Sequence, residues 1–135
     1  MPDPAASTSP IWIVDDDAEM LGAIQLMLKA IDWEAKGFED ARSAAQALLA
    51  GKRPQLIILD INMPDVSGLD LLEFIRRRDE LKQLPVVMLS TEAADVTVDQ
   101  AMGLGADGYV TKPVTVEELE RTMQAALKKR KKGIS

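Results

Sequence analysis

An open, doubly wound α/β fold built on a five-stranded parallel sheet is what this 135-residue chain predicts, on three observations. Short apolar runs of strand length recur along it: Ile11-Trp12-Ile13-Val14, Leu56-Ile57-Ile58-Leu59 and Val86-Val87-Met88-Leu89. Stretches with helical spacing of apolar residues separate these runs, which calls for parallel strands joined by helical crossovers. Each run also ends in a residue able to do chemistry. Asp15 and Asp16 follow the first, Asp60 the second and Ser90 the third, while Lys112-Pro113 closes a fourth segment, Gly108-Tyr109-Val110-Thr111. In a parallel sheet all these endings share one edge, the edge at which open α/β sheets bind ligands.

The elements follow in order. The first strand is expected at Ile11–Asp15, and a helix follows with Met20, Ile24, Met27 and Ile31 at helical spacing and Leu21 and Leu28 beside them. The second strand, Glu34–Phe38, is the least apolar and suits a sheet edge. Ala41, Ala44, Ala45, Leu48 and Leu49 mark the second helix, which Gly51 is placed to end. After the third strand, Leu56–Asp60, a loop with Asn62, Met63, Pro64, Asp65 and Gly68 leads into a helix that turns Leu69, Leu72 and Ile75 inward. Pro85 opens the fourth strand, where a missing N–H costs least. The fourth helix, expected over Ala93–Leu104, is a poor helix sequence: Val96, Thr97 and Val98 are β-branched, and Gly103 and Gly105 weaken its end. Gly108–Thr111 is the fifth strand, and Val116, Leu119, Met123, Ala126 and Leu127 line the fifth helix. One domain over 10–131 is expected, between a disordered tail at 1–9 and a short tail at 132–135, with no output domain.

Composition narrows the chemistry. The chain has no Cys and no His, which excludes disulfides, thiolate or imidazole metal sites, a Ser-His-Asp triad and any histidine phosphodonor. A metal must therefore be held by oxygen, which favours Mg²⁺, Mn²⁺ or Ca²⁺. Net charge is −6, but five of the 16 basic residues lie in the run 128–132, leaving 11 against 22 acidic residues elsewhere. Such an acidic body argues against nucleic-acid binding. The basic run suits the negative dipole end of the last helix. No apolar run approaches the roughly 20 residues of a membrane span, and residues 1–9 lack a signal peptide's basic start and apolar centre. A cytoplasmic location without membrane contact is expected.

Three carboxylates at one sheet edge repel and call for a cation. Mg²⁺ would satisfy them while leaving room for phosphoryl oxygens. One carboxylate can then attack phosphorus to give an acyl phosphate, with Lys112 and Ser90 facing the equatorial oxygens. Each residue also has a plainer reading. Asp15 or Asp16 suits the cap of the first helix, Tyr109 a core aromatic with a wet hydroxyl, and Lys112 a surface lysine. Asp60 resists such an account, because a carboxylate between apolar residues is costly to bury unpaired.

Val14-Asp15-Asp16, Leu59-Asp60-Ile61-Asn62-Met63-Pro64, Leu89-Ser90-Thr91 and Gly108-Tyr109-Val110-Thr111-Lys112-Pro113 together resemble the four motifs of response-regulator receiver domains, the phosphoacceptor half of two-component signalling. The resemblance covers about residues 10–130. It implies the flavodoxin-like strand order 2-1-3-4-5. It also implies that Asp60 is the phosphorylated residue and that Asp15, Asp16, Asp60 and the Asn62 carbonyl hold Mg²⁺ or Mn²⁺. Ser90 then matches the switch hydroxyl, Tyr109 the aromatic switch, and Lys112 the lysine that pairs with Asp60 and later with the phosphoryl group. The Lys112–Pro113 bond is expected cis. Asp17 is expected to be solvated and free of metal. Thr91 stands where small residues are common in the family, which implies slower phosphoryl loss than with Ala, and Glu92 and Asn62, two residues past the hydroxyl and the nucleophile, are both placed to influence hydrolytic water.

The implied partners are a histidine kinase or phosphotransfer protein, chosen through surface residues of the first helix such as Ala18, Met20 and Leu21. A downstream protein target is also implied, as is an option to homodimerise through the face formed by helix four, strand five and helix five. No enzymatic turnover is expected beyond Mg²⁺-dependent self-phosphorylation and autodephosphorylation. A single-domain regulator is the first reading; the alternative is a receiver excised from a multidomain regulator or hybrid kinase. Two other classes fit less well. A haloacid-dehalogenase-type phosphatase needs an Asp where Asn62 stands, and a flavodoxin-like flavin carrier needs a phosphate loop where Asp15-Asp16-Asp17 would repel one.

Overall fold

The computed structural model describes residues 9–63, 66–91 and 95–134. Ten elements alternate without interruption: β1 Ile11–Val14, α1 Ala18–Ala30, β2 Ala35–Phe38, α2 Ala41–Leu49, β3 Leu56–Asp60, α3 Gly68–Arg77, β4 Val86–Thr91, α4 Asp95–Gly103, β5 Gly108–Lys112 and α5 Val116–Ile134. All strand pairings are parallel, in the order β2-β1-β3-β4-β5. The weakly apolar second strand is indeed an edge strand, and only Phe38 of its four residues is buried. Lys36, exposed on that edge, holds its ammonium 5.3 Å from the centre of the Phe38 ring.

Period-two alternation sorts the strand side chains into two cores. Trp12, Val14, Ile57, Leu59, Val86 and Met88 face α2 and α3, where Ala44, Leu48, Leu71, Leu72 and Ile75 complete the layer. Ile11, Ile13, Leu56, Ile58, Val87, Leu89 and Val110 face α1 and α5, against Ile24, Leu28, Leu119 and Met123. Both faces of β1 and β3 are therefore covered and every residue of those strands is buried. That explains continuous apolar runs where a one-sided sheet would show alternation. Removing a single Leu or Ile side chain from these layers costs about 2–5 kcal/mol.

Local sequence sets the helix ends. Asp17 caps α1 by accepting from the N–H groups of Glu19 and Met20, and Asp40 caps α2 through the Ser43 N–H. Ser67 and Asp70 exchange hydrogen bonds in a capping box at α3. Gly51, at φ 97°, stops α2 as its position suggests; Asp32, at φ 64°, does the same for α1 although it carries a side chain.

Several expected details change. The inward stripe of α1 centres on Leu21, Ile24 and Leu28, so Leu21 is core and Met20 half-buried, and of the three residues expected to meet a partner only Ala18 is exposed. Positions 21, 24 and 28 follow the three- and four-residue spacing of one helix face, and Met20, Met27 and Ile31 flank it half-buried. α4 spans Asp95–Gly103, and the expected start at Ala93 lies outside the described residues. α5 continues through the basic run to Ile134. The tail expected at 1–9 lies, except for Ser9, outside the described residues.

Candidate functional site

The parallel register delivers the strand-end residues to one edge. Asp60 pairs in register with Leu89, which brings Ser90 beside it, and Thr91 pairs with Lys112 across β4 and β5. Asp15 leaves the end of β1 next to β3. Asp15, Asp60 and Ser90 are the buried polar residues of the described chain, at 0%, 3% and 1% exposure. Asp16 is exposed, yet one carboxylate oxygen from each of Asp15, Asp16 and Asp60 can be chosen so that all three lie within 4.8 Å.

Neighbouring backbone holds this cluster. Asp15 Oδ1 accepts from the Asp17 N–H at 2.9 Å, and Asp60 Oδ1 from the Asn62 N–H at 3.2 Å. Lys112 Nζ lies 3.3 Å from Asp15 Oδ2 and 3.7 Å from Asp60 Oδ2, so the ammonium sits between both acids and nearer Asp15. Its distance to Asp15 is that of an ion pair without hydrogen-bond geometry, since among the described residues Asp15 Oδ2 has no hydrogen-bond partner; Ser90 Oγ has none there either. The Lys112–Pro113 peptide is cis. At the rim, Asn62 Nδ2 donates to Thr91 Oγ1 at 3.4 Å. Tyr109 is turned outward and 45% exposed.

One cation does not balance three carboxylates. Burial, then the charge of Asp15, pushes the Asp60 carboxyl up to about 6, against the opposing pull of Lys112 and the Asn62 N–H. This residual repulsion, together with the unpartnered Asp15 Oδ2 in an all-oxygen donor set, is what a hard divalent cation would relieve. The residues fit Mg²⁺ or Mn²⁺ on that ground.

Of the sequence-predicted site residues, Asp15, Asp16, Asp60, Ser90 and Lys112 gather at one point, with Asn62 and Thr91 at its rim. Tyr109 stands outside it, and Glu92 lies outside the described residues. Asp17 caps α1, the role for which the sequence offers Asp15 or Asp16. Gly68, expected only as a residue of the loop after β3, is a further site position. A Cβ there would land on the Asp60 carbonyl, and the Gly68 N–H donates to the Ile61 carbonyl at 3.2 Å, so α3 starts directly against the strand end that carries Asp60. The lone glycine between Met63-Pro64 and an apolar helix was the available signal.

Comparisons with known proteins agree with this geometry. The family model described as response regulator receiver domain matches residues 11–124. The phosphate regulon transcriptional regulatory protein PhoB of Pseudomonas aeruginosa is 31% identical over 125 residues, which are 93% of this chain and 54% of that protein. The chain thus spans about half the length of this relative, and 50% of the regulator TcrX of Mycobacterium tuberculosis. The chemotaxis protein CheY of P. aeruginosa is 32% identical over 114 residues, 84% of this chain and 92% of that protein. Among solved structures, chemotaxis protein CheY4 of Vibrio cholerae superposes with a TM-score of 0.78 at 29% identity, covering 87% of this chain and 98% of that one. A CheY-like receiver domain protein of Methanospirillum hungatei gives 0.80 at 25%, covering 93% and 98%.

Proposed function

The chain belongs to the response-regulator receiver family, and from that premise we propose that Asp60 accepts a phosphoryl group from a histidine kinase or phosphotransfer protein and so switches a protein-contact face. The observation that carries this reading is the surroundings of Asp60: a buried carboxylate with an ammonium and an unpartnered serine hydroxyl around it, at the open edge of the sheet.

An Asp60 Oδ attacks the phosphorus of a phosphohistidine; the P–N bond breaks, and the electron pair leaves with the donor's imidazole, which takes up a proton. Asp60 becomes an acyl phosphate. Lys112, freed from its attraction to the Asp60 carboxylate, faces the added negative charge, and the Ser90 hydroxyl gains the acceptor it lacks. Asp15, Asp16, Asp60 and the backbone carbonyl of Asn62 would hold Mg²⁺ or Mn²⁺. When bound, that ion neutralises charge building on the transferred group. The Asn62–Thr91 hydrogen bond crosses the rim by which water must enter, which supports slow loss of the phosphoryl group.

Receiver domains are signalling modules, so covalent chemistry here is confined to self-phosphorylation and autodephosphorylation. Tyr109, exposed beside α4 and α5, fits a ring that turns inward once the Ser90 hydroxyl moves. The face made by α4, β5 and α5 is then the output, toward a protein target or a second copy of the chain. A cytoplasmic setting goes with such partners, and among the described residues no helix is long and apolar enough to cross a membrane.

Intact mass after incubation with acetyl phosphate and Mg²⁺ tests this reading. One added phosphoryl group is expected on wild type, lost without Mg²⁺ and lost in Asp60→Asn. An unmodified wild type with intact fold and Mg²⁺ binding would sink it.

A further inference from the structure

Asp107, a half-buried residue whose carboxylate is fully enclosed, is not used by the proposed chemistry. It sits just before β5, at the opposite end of that strand from Lys112, and its side chain is wholly buried. Oδ2 accepts from the Val86 N–H at 2.9 Å and from Arg76 Nη2 at 2.9 Å, while Oδ1 accepts from Arg130 Nε at 2.7 Å. Both guanidinium groups also donate to the Gly105 carbonyl, Arg76 Nε at 2.9 Å and Arg130 Nη2 at 3.2 Å. One point therefore ties together α3, the start of β4, the turn that ends α4, and the basic end of α5.

Gly105 is built into this clasp. Its φ is 105°, and a Cβ there would meet Nε, Cγ and Cδ of Arg76 at 3.0–3.2 Å, so the arginine stem packs on the bare backbone. Burial and the charge of Arg130 pull Arg76 down to about 10, still cationic at neutral pH, where Asp107 holds it. A buried network with its donors and acceptors matched is rigid. The other end of α4 follows Ser90 and Thr91, whose hydroxyls make, among the described residues, only the 3.4 Å contact with Asn62. The helix between has consecutive β-branched residues at Val96, Thr97 and Val98.

We propose that the Arg76–Asp107–Arg130 clasp is a fixed pivot for α4, so that modification of Asp60 swings the helix about Gly105 instead of sliding it. The inference rests on the reading of Asp60 given above. At about 1.5 Å per residue, Asp95 lies roughly 15 Å from the pivot and Met102 roughly 4.5 Å. A swing therefore displaces the first about three times as far as the second, whereas a slide displaces both equally.

The chain has no native Cys, so paired spin labels go in cleanly: Asp95→Cys or Met102→Cys, each against Leu26→Cys on α1 as reference. Distances are read before and after acetyl phosphate and Mg²⁺, with intact mass confirming the adduct. A shift at 95 about threefold that at 102 is expected, falling toward equal shifts in Arg130→Gln, which removes one arm of the clasp. Equal shifts in wild type, or none in protein carrying the adduct, overturn the pivot. Absence of the adduct is instead the failure of the Asp60 reading. The clasp then stands or falls on hydrogen exchange of the unmodified protein. Amides of 101–108 should exchange at least tenfold faster in Arg130→Gln, with β1 amides unchanged. Unaltered rates at 101–108, or equal acceleration in β1, overturn it.

Discussion

Asp60→Asn should stabilise the metal-free protein, by an amount that depends on pH. Burial and the Asp15 charge raise the Asp60 carboxyl from 3.8 to about 6 in the fold. The native state thus holds this proton through a window in which the unfolded chain has released it. Native protein binds more protons there, so stability falls as pH rises from about 4 through 6, and the full penalty stands above that. A shift of about two units at 1.36 kcal/mol each is ~3 kcal/mol. At about 2.1 cal/mol/K per residue, 135 residues unfold with roughly 280 cal/mol/K, so the gap in Tm is about 10 °C. Circular dichroism melts of wild type and Asp60→Asn, both in chelator, should show Tm values that agree near pH 4 and diverge to that gap by pH 7.5. Saturating Mg²⁺ should narrow it, by binding the native wild type. A gap that is absent at pH 7.5, reversed, or equally large at pH 4 would refute carboxylate crowding as its origin.

Other outcomes follow from the same structure. Asp16→Asn should shrink the rise in Tm that millimolar Mg²⁺ gives wild type, because it removes the exposed member of the acid trio; calorimetric titration should show at least tenfold weaker Mg²⁺ binding. Gly68→Ala should cost about 3 kcal/mol or more by denaturant melts and abolish the phosphoryl adduct, because its methyl would strike the Asp60 carbonyl. Asp32→Gly should raise stability by about 0.5–1 kcal/mol, since it relieves a left-handed residue at the end of α1. Thr91→Ala breaks the rim contact with Asn62 and should shorten the phosphoryl lifetime several-fold, read by the decay of the mass adduct.

The strands were legible because burial on both faces leaves a compositional mark, whereas their order 2-1-3-4-5 was implied by the family resemblance. Leu56–Leu59 and Val86–Leu89 carry no polar residue, and no solvent-facing element could afford that. Asp60 was legible as the exception in such a run. Less visible was anything decided by direction. The capping Asp could be any of three adjacent acids, since sequence places them but not their side chains, and Asp17 takes the role through its reach to Glu19 and Met20. Likewise, whether Lys112 leans to Asp15 or Asp60 is a matter of fractions of an ångström. The Asp107 clasp left no local trace at all. Arg76, Asp107 and Arg130 are far apart in the chain, and each alone reads as an ordinary surface charge.

The short edge strand β2 has a consequence beyond the switch. A sheet edge offers unpaired N–H and C=O groups to any passing extended chain, and long flat edges are seeds of aggregation. Here that edge is four residues long, Gly37 deprives it of a side chain to pack, and Lys36 arches over Phe38 in place of a flat apolar row. An incoming strand finds few hydrogen bonds and must desolvate an ammonium to make them. The β2 side of the sheet is thereby kept from recruiting further strands.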